Sequence, residues 1–288
     1  MSLIFNANEW IENYNTIKTR ESAKTSLNAF EIWLKENSLT INDFVELTNK
    51  NEDSKYIEIN KFVKSLHLAP ASIKQYYAFI KSYLRVKYRI KLDSLDQKQF
   101  IKFKPILKIN REPLTKQIIK DFCINANVLH RTIYLIQVSS GMRISESLNL
   151  KKENFDFSVD PIKITIPANI TKTKTSRITF ISKEAKSSID QIGNSYFQEK
   201  SLNSVEQYFY KLRKNLGYLD KYENSRNYHV NIHSFRAYTR TIGGKFTTQD
   251  FIEDLIGHSG YLKQYVRIDE SEKINYDRKL EPHLRILN

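Results

Sequence analysis

Apolar residues recur at helical spacing through the first third of the chain. Ala23, Leu27, Phe30 and Leu34 follow a 4-3-4 spacing that lines one helical face. Ile73, Tyr77, Ile80 and Leu84 repeat it, and Ser72 with Gln75 just after Pro70 reads as a capping box at the start of that helix. All seven glycines lie at or beyond Gly141, so the first 110 residues lack the commonest turn and bulge residue, which favours a helical domain. The stretch from Lys98 to Pro113 breaks the pattern. It holds two prolines and alternates bases with apolar residues without helical periodicity, as an extended cationic linker would.

Beyond the linker the periods mix. Thr115 is placed to N-cap a helix over KQIIKDFCINA. Residues 133–141, IYLIQVSSG, read as a buried helix ended by Gly141. Ile162, Ile164 and Ile166 alternate with Lys163 and Thr165, which predicts a strand. Arg177–Ile181 predicts a second strand, joined to the first by the hairpin segment PANITKTKTS. Helices are predicted over 184–192, 204–216, 233–242 and 248–256, with a short one from about 261. One small antiparallel sheet amid helices makes the chain mainly α, of the α+β kind. At roughly 150 residues per domain, 288 residues divide into two. We place a helical domain at 1–104, a cationic linker at 105–111 and a second domain at 112–288.

Charge sharpens this division. The chain carries 46 Lys and Arg against 32 Asp and Glu, a net of +14. Residues 1–60 hold 6 basic and 10 acidic side chains, whereas residues 61–108 hold 12 basic and only two acidic ones, Asp93 and Asp96. That block reads as a surface for a polyanion, double-stranded DNA above all, set against the plainer reading of a solvated lysine-rich face. Lys74, Lys81 and Arg85 flank the apolar stripe of the second helix, and Lys102 and Lys104 lie on the linker, where they could meet a phosphate backbone. Tyr76, Tyr77, Tyr83 and Tyr88 read as packing residues. No window approaches 18 consecutive apolar residues and the first residues lack a signal layout, so neither a membrane span nor secretion is expected, and the cytoplasm is. A single cysteine, Cys123, excludes an intramolecular disulfide and reads as a small core residue. With six scattered histidines, no metal site is expected.

Four separated segments hold the candidate chemistry. In the first, Ser140 to Leu148, a glycine ends one helix and Arg143 follows in the turn before Ser145, which can cap the next helix. Glu146, one turn on, can hold that arginine or be an ordinary helix glutamate. The second is the hairpin cluster Lys172, Lys174 and Arg177. In the third, His233 and Arg236 stand at i and i+3, so one ligand phosphate could meet both. In the fourth, a helix ends at Gly257 and His258 follows, with Tyr261 and Tyr265 soon after.

In this order the segments resemble the tyrosine recombinases, the family of phage-type integrases and Xer-type recombinases. The resemblance rests on G-x-R-I-S-E-x-x-x-L from Gly141, the basic hairpin, H-x-x-R from His233, and the G-H-S turn with a tyrosine after it. It covers about 112–270, and more loosely the helical half, which looks like the family's DNA-binding core-binding domain. It implies a catalytic domain in which Arg143 and Arg236 clamp the two non-bridging oxygens of a phosphodiester, a task suited to the permanent charge and bidentate fork of arginine. A tyrosine attacks, forming a 3′-phosphotyrosyl bond. Its phenol ionises near pH 10 when free, so it needs the arginines' field and a proton acceptor or relay such as His233. Lys172 fits the family's spacing as donor of a proton to the departing 5′-oxygen, with Lys174 its rival. His258 would bind the phosphate or orient the nucleophile. Tyr265 is preferred as nucleophile over Tyr261 and Tyr276, although it stands slightly nearer to His258 than the bacterial pattern.

The resemblance implies no metal and no ATP, since the ester conserves bond energy, and it implies a tetramer in the synapse, with a monomer open as the free form. The tail's Leu280, Leu284, Ile286 and Leu287 are left between packing on a neighbouring protomer and packing on their own domain. A type IB topoisomerase-like enzyme, or a DNA-binding protein with a degenerate site, are the rival readings. The DNA sequence, the choice between mobile-element integration and chromosome dimer resolution, and delivery of the tyrosine in cis or in trans are not legible.

Overall fold

The computed structural model describes residues 7–106, 112–223, 227–258 and 268–287, the side chain of Tyr276 excepted. The chain divides into two compact units, Met1–Lys108 and Ile109–Asn288.

Six helices make up the described part of the first unit: α1 (Ala7–Glu12), α2 (Ile17–Glu36), α3 (Ile41–Lys50), α4 (Ser54–Ser65), α5 (Pro70–Tyr88) and α6 (Ser94–Phe100). The apolar stripes read from the sequence face inward. Ala23, Leu27, Phe30 and Leu34 of α2 and Ile73, Tyr77, Ile80 and Leu84 of α5 are all buried. The core is aromatic: Phe30 meets Trp33, Phe44 and Phe62 at ring-centroid separations of 5.0–5.9 Å. Ring contacts of this kind add to the area that each ring removes from water. Short polar caps set the helix starts. Thr16 accepts the amide of Thr19, and Thr40 and Asp43 form a reciprocal capping box. Helix α5 starts differently from the expectation. Pro70 is itself the first helical residue after extended Ala69, so Ser72 lies inside the helix and caps nothing. The stretch read as wholly extended also begins within α6, which Asp93 caps and which runs to Phe100. Residues 101–106 are in neither helix nor strand, Ile101 at their start is extended, and the amide of Lys102 donates to Asn60 Oδ1 of α4 (3.1 Å). Residues 107–111 lie outside the described residues.

The second unit is built on one buried helix. After α7 (Lys116–Asn125), capped by Thr115 as expected, comes α8 (Val128–Ser140), whose residues from Thr132 to Ser140 are all buried. A helix apolar on every side must be covered on every side. Short α9 (Ile144–Leu148) follows, then β1 (Phe155–Asp156), β2 (Ile162–Ile166) and β3 (Arg177–Ile181), an antiparallel sheet in the order β1-β2-β3. Ile164 stands opposite Thr179, and Ile166 opposite Arg177. The chain continues through α10 (Lys183–Ile192), α11 (Leu202–Asn215), α12 (Ile232–Phe246), α13 (Gln249–Ile256) and α14 (Glu270–Leu284). Phe122, Tyr134, Phe209 and Phe235 pack as a ring cluster from α7, α8, α11 and α12. Cys123 is fully buried in the same core, and burial pushes its thiol pKa far up, as befits a core residue rather than a nucleophile.

The tail packs on its own unit. Leu280, Leu284 and Ile286 join the core, and the amides of Ile286 and Leu287 donate to the Glu184 carboxylate (2.7 and 2.9 Å). Among the described residues no helix is long and apolar enough to cross a membrane.

Candidate active site

Two left-handed glycines bring the separated segments together. Gly141 ends α8 at φ 62°, where an L side chain is disfavoured, and a Cβ there would also lie 2.5 Å from Ile256 Cγ2 of α13. The turn delivers Arg143 to the N-cap of α9, so Ser145, expected to cap this helix, sits inside it and exposed. Glu146 then fills the N3 position. Its carboxylate is fully buried and accepts the Arg143 amide (2.9 Å) and Arg143 Nη1 (3.0 Å).

Arg177 supplies the second cation. The sequence groups it with the exposed hairpin lysines, but β3 alternates with a period of two, and Arg177 shares its face with Thr179 and Ile181. That face turns inward. Thr179 Oγ1 donates to Ser140 O (2.9 Å), and Arg177 donates from Nη2 and Nη1 to the two oxygens of Glu146 (2.6 and 3.2 Å). Burial alone would raise the Glu146 pKa, but Arg177 first and Arg143 second hold the carboxyl below the usual range.

Arg236 completes the cluster. It lies on α12, buried, and donates from Nη1 to Gly141 O (2.6 Å). Its Nη2 is buried with no hydrogen-bond partner among the described residues. Burial, then the charges of Arg143 and Arg177, lowers its pKa to about 10, which leaves it a cation near neutrality. Two of the three guanidiniums, Arg143 and Arg177, bond the Glu146 carboxylate and Arg236 bonds a carbonyl, so the cluster carries a fixed positive excess in a largely desolvated setting. An unpartnered, buried guanidinium nitrogen needs an acceptor, and an anion answers both needs.

The histidines flank this cluster differently. His233 opens α12 one turn before Arg236 and is exposed, its amide on Asn231 Oδ1 (3.1 Å). It also borders a cavity of about 410 Å³ with Tyr210, Arg213 and Tyr228. His258 is placed by the end of α13. Gly257 turns left-handed at φ 71°, and the His258 amide reaches back to Glu253 O (3.0 Å), the pattern of a Schellman cap. That fold-back sets His258 Nδ1 on Glu253 Oε2 (2.6 Å). Glu253 Oε1 accepts from Arg240 and from Gln249 (2.7 Å each), so the carboxylate holding the imidazole is itself fixed. Glu253 and Gly257 carry no signal in the sequence beyond a helix end; only the cap geometry makes them part of the site.

Lys172 and Lys174 sit exposed on the β2–β3 connection. Lys174 adopts φ 55° and points its Nζ back to Asn169 O of the same turn (3.4 Å). Tyr261 and Tyr265 lie outside the described residues, and Tyr276 lies on α14. Lys74, Lys81, Arg85, Lys102 and Lys104 belong to the first unit. There Lys74, Arg85, Lys102 and Lys104 are exposed, while Lys81 is half-buried against Gln97 (2.9 Å). Among the described residues no group of His, Cys, Asp or Glu is arranged to hold a metal ion.

The profile of the phage integrase family matches residues 112–271. Among solved structures, the chain is similar to a lambda integrase tetramer bound to a Holliday junction (14% identity, 91% of this chain and 79% of that one, TM-score 0.59). It is similar to XerH site-specific recombinase bound to its difH substrate (15%, 96% and 81%, 0.59) and to the Tn1549 transposon integrase with a circular-intermediate DNA (13%, 78% and 85%, 0.53). At these identities the likeness is one of fold. No curated protein sequence matches the chain.

Proposed function

The chain belongs to the phage integrase family, the tyrosine recombinases, and from that premise we propose that it cuts and rejoins duplex DNA at specific sites through a 3′-phosphotyrosyl intermediate. The observation that carries the reading is Arg236, a buried cation with one nitrogen on Gly141 O and another without an acceptor among the described residues, beside Arg143. A scissile phosphate seated there gains charge on its non-bridging oxygens as the nucleophile arrives. Donors that are already fixed lower that barrier without reorganising.

In this proposal Arg143 and Arg236 clamp the two oxygens, and Tyr265 attacks phosphorus. His233 takes or relays the phenol proton, and His258, held through Nδ1 by Glu253, turns Nε2 to the phosphate. Lys172 protonates the departing 5′-oxygen. Lys174 is less suited to that role, since its Nζ folds onto its own turn. One P–O bond forms as another breaks, so no nucleotide energy source is required, and the charge work is done by side chains rather than a metal. The first unit would hold the duplex through Lys74, Lys81, Arg85, Lys102 and Lys104. The active form would be a tetramer joining two duplexes, as in the junction-bound lambda integrase.

The test uses nicked suicide duplexes with a randomised core, from which the wild-type chain captures its own substrate covalently. The captured duplex should give a denaturation-resistant adduct in EDTA without ATP. Tyr265→Phe should abolish the adduct and Tyr261→Phe should keep it. An adduct persisting in Tyr265→Phe refutes the nucleophile; no adduct from any duplex refutes catalysis.

A further inference from the structure

Arg177 does more than neutralise a buried glutamate. Its guanidinium meets two segments at three points: Glu146 of α9 through Nη1 and Nη2, and the end of α13 both through Nε on Leu255 O (3.3 Å) and at the Gly257 turn, where a Cβ would lie 2.7 Å from its Cζ. Its own backbone begins β3, at the root of the connection that bears Lys172. The four candidate segments are thus joined through this side chain, or through its neighbour Arg236, which ties α12 to the Gly141 turn.

We propose that Arg177 is a positioning residue that sets Arg143 through Glu146, and that holds the Lys172 hairpin and the His258 turn in register with it. Side-chain exposure divides the labour. Arg177 is 3% exposed, whereas Arg143 is 23% exposed and is the guanidinium of the pair that a phosphate can reach. Glu146 is fully buried, and a buried carboxylate is tolerated only when its charge is matched at close range. Arg177 provides that match on both oxygens. Arg143 therefore gives Glu146 a single side-chain nitrogen, Nη1, and keeps the rest of its fork for a ligand. Without Arg177, Glu146 would draw Arg143 inward, away from the ligand. Lysine offers a point charge and no fork, so it can replace the charge but not the three-way contact.

The inference rests on the recombinase reading, and the experiment separates the two. Adduct formation on the captured suicide duplex is followed in single turnover at saturating DNA for the full chain, Arg177→Met, Arg177→Lys, Glu146→Gln and Arg177→Met/Glu146→Gln, with duplex affinity measured alongside. Arg177→Met should slow cleavage about a hundredfold, the scale of a misplaced transition-state contact, while affinity changes by less than about twofold. Arg177→Lys should fall between Arg177→Met and wild type. The double variant should cleave faster than Arg177→Met alone, because Glu146→Gln leaves a neutral amide that no longer pulls on Arg143. A purely structural role predicts the reverse, with the two losses multiplying. If Arg177→Met does not fold, the same comparison is made between Arg177→Lys and Arg177→Lys/Glu146→Gln. Multiplying losses overturn the inference. So does an Arg177→Met chain that binds weakly but cleaves at the wild-type rate when saturated, since Arg177 would then be a DNA contact. Absence of a wild-type adduct overturns the recombinase reading and the inference with it.

Discussion

At Gly257 the backbone enters the left-handed region just where Arg177 passes beneath it, so two constraints fall on one residue. A side chain there would strain the turn by about 1–2 kcal/mol. A Cβ would also press on a guanidinium locked by Glu146, with an overpacking cost of about 1–3 kcal/mol. Gly257→Ala should therefore lower the urea midpoint. Because the displaced group is Arg177 and the turn carries His258, it should also slow adduct formation at temperatures where circular dichroism shows the fold intact. A variant destabilised to a similar degree within the same unit but outside the four segments, such as Ile119→Ala in α7, should lower the midpoint and keep its cleavage rate. Equal rates in the two would show that the Gly257 turn does not govern the chemistry. The neighbouring Glu253 acts on the same histidine from the other side, through Nδ1. The two residues explain how an imidazole at 44% side-chain exposure is held in one orientation.

Among the described elements, α14 carries a buried carboxyl whose ionisation should weaken its attachment. Asp277 is almost wholly buried on it, and burial first, then Glu281 and Asp160, raise its carboxyl to about 8. The charged groups around it are mixed. Lys183 lies 3.4 Å from Asp160, the amide of Lys183 donates to Glu281, Arg285 pairs with Glu281, and Arg278 donates to Asp160 O. The folded chain thus holds a proton on Asp277 that the unfolded chain releases near pH 4. Its contribution to stability is complete below that pH and is lost as pH rises from about 4 to about 8, at up to about 1.4 kcal/mol per unit. The thermal midpoint should fall over this range and Asp277→Asn should flatten the fall; an unchanged slope in Asp277→Asn would place the titration elsewhere. The periodic parts of the elements were legible beforehand: the stripes of α2 and α5, the glycine end of α8 and the strands β2 and β3 follow from local spacing. Helix α14 was not, because its polar face and internal Pro282 hide a stripe of Leu280 and Leu284 that only packing against α12 and α8 makes coherent. Pro70 likewise displaced the expected cap at Ser72 because proline needs no amide partner in a first turn. Arg143, Glu146 and Arg236 could be singled out from spacing. The inward turn of Arg177 could be read only once β3 had a buried face.

For the whole molecule the useful distinction is between charge that holds DNA and charge placed to act on it. The net of +14 does not separate them. In the second unit the three clustered guanidiniums are buried or bonded: Arg177 and Arg236 meet protein groups, and of the three only Arg143 is appreciably open. Residues 61–108 carry their 12 bases in a different setting, with Lys74, Arg85, Lys102 and Lys104 exposed on the first unit. Exposed lysines bind a phosphate backbone by releasing its condensed counterions, so their effect must depend on salt, whereas a desolvated cluster depends on geometry. Removing Lys74 and Arg85 together should weaken duplex binding equally for the captured substrate and for unrelated DNA. It should also lower the slope of log affinity against log salt by about 0.9 for each phosphate that is no longer neutralised. At saturating DNA the adduct should still form at the wild-type rate. Arg143→Ala should do the opposite, leaving the salt slope nearly unchanged and removing cleavage. If the Lys74→Ala/Arg85→Ala chain keeps its salt slope, the first unit's cations are a solvated face, and duplex grip has to come from the second unit's 28 bases. If instead it binds normally at low salt but cannot cleave, those two side chains do more than hold the backbone, and the division between gripping and acting charges fails.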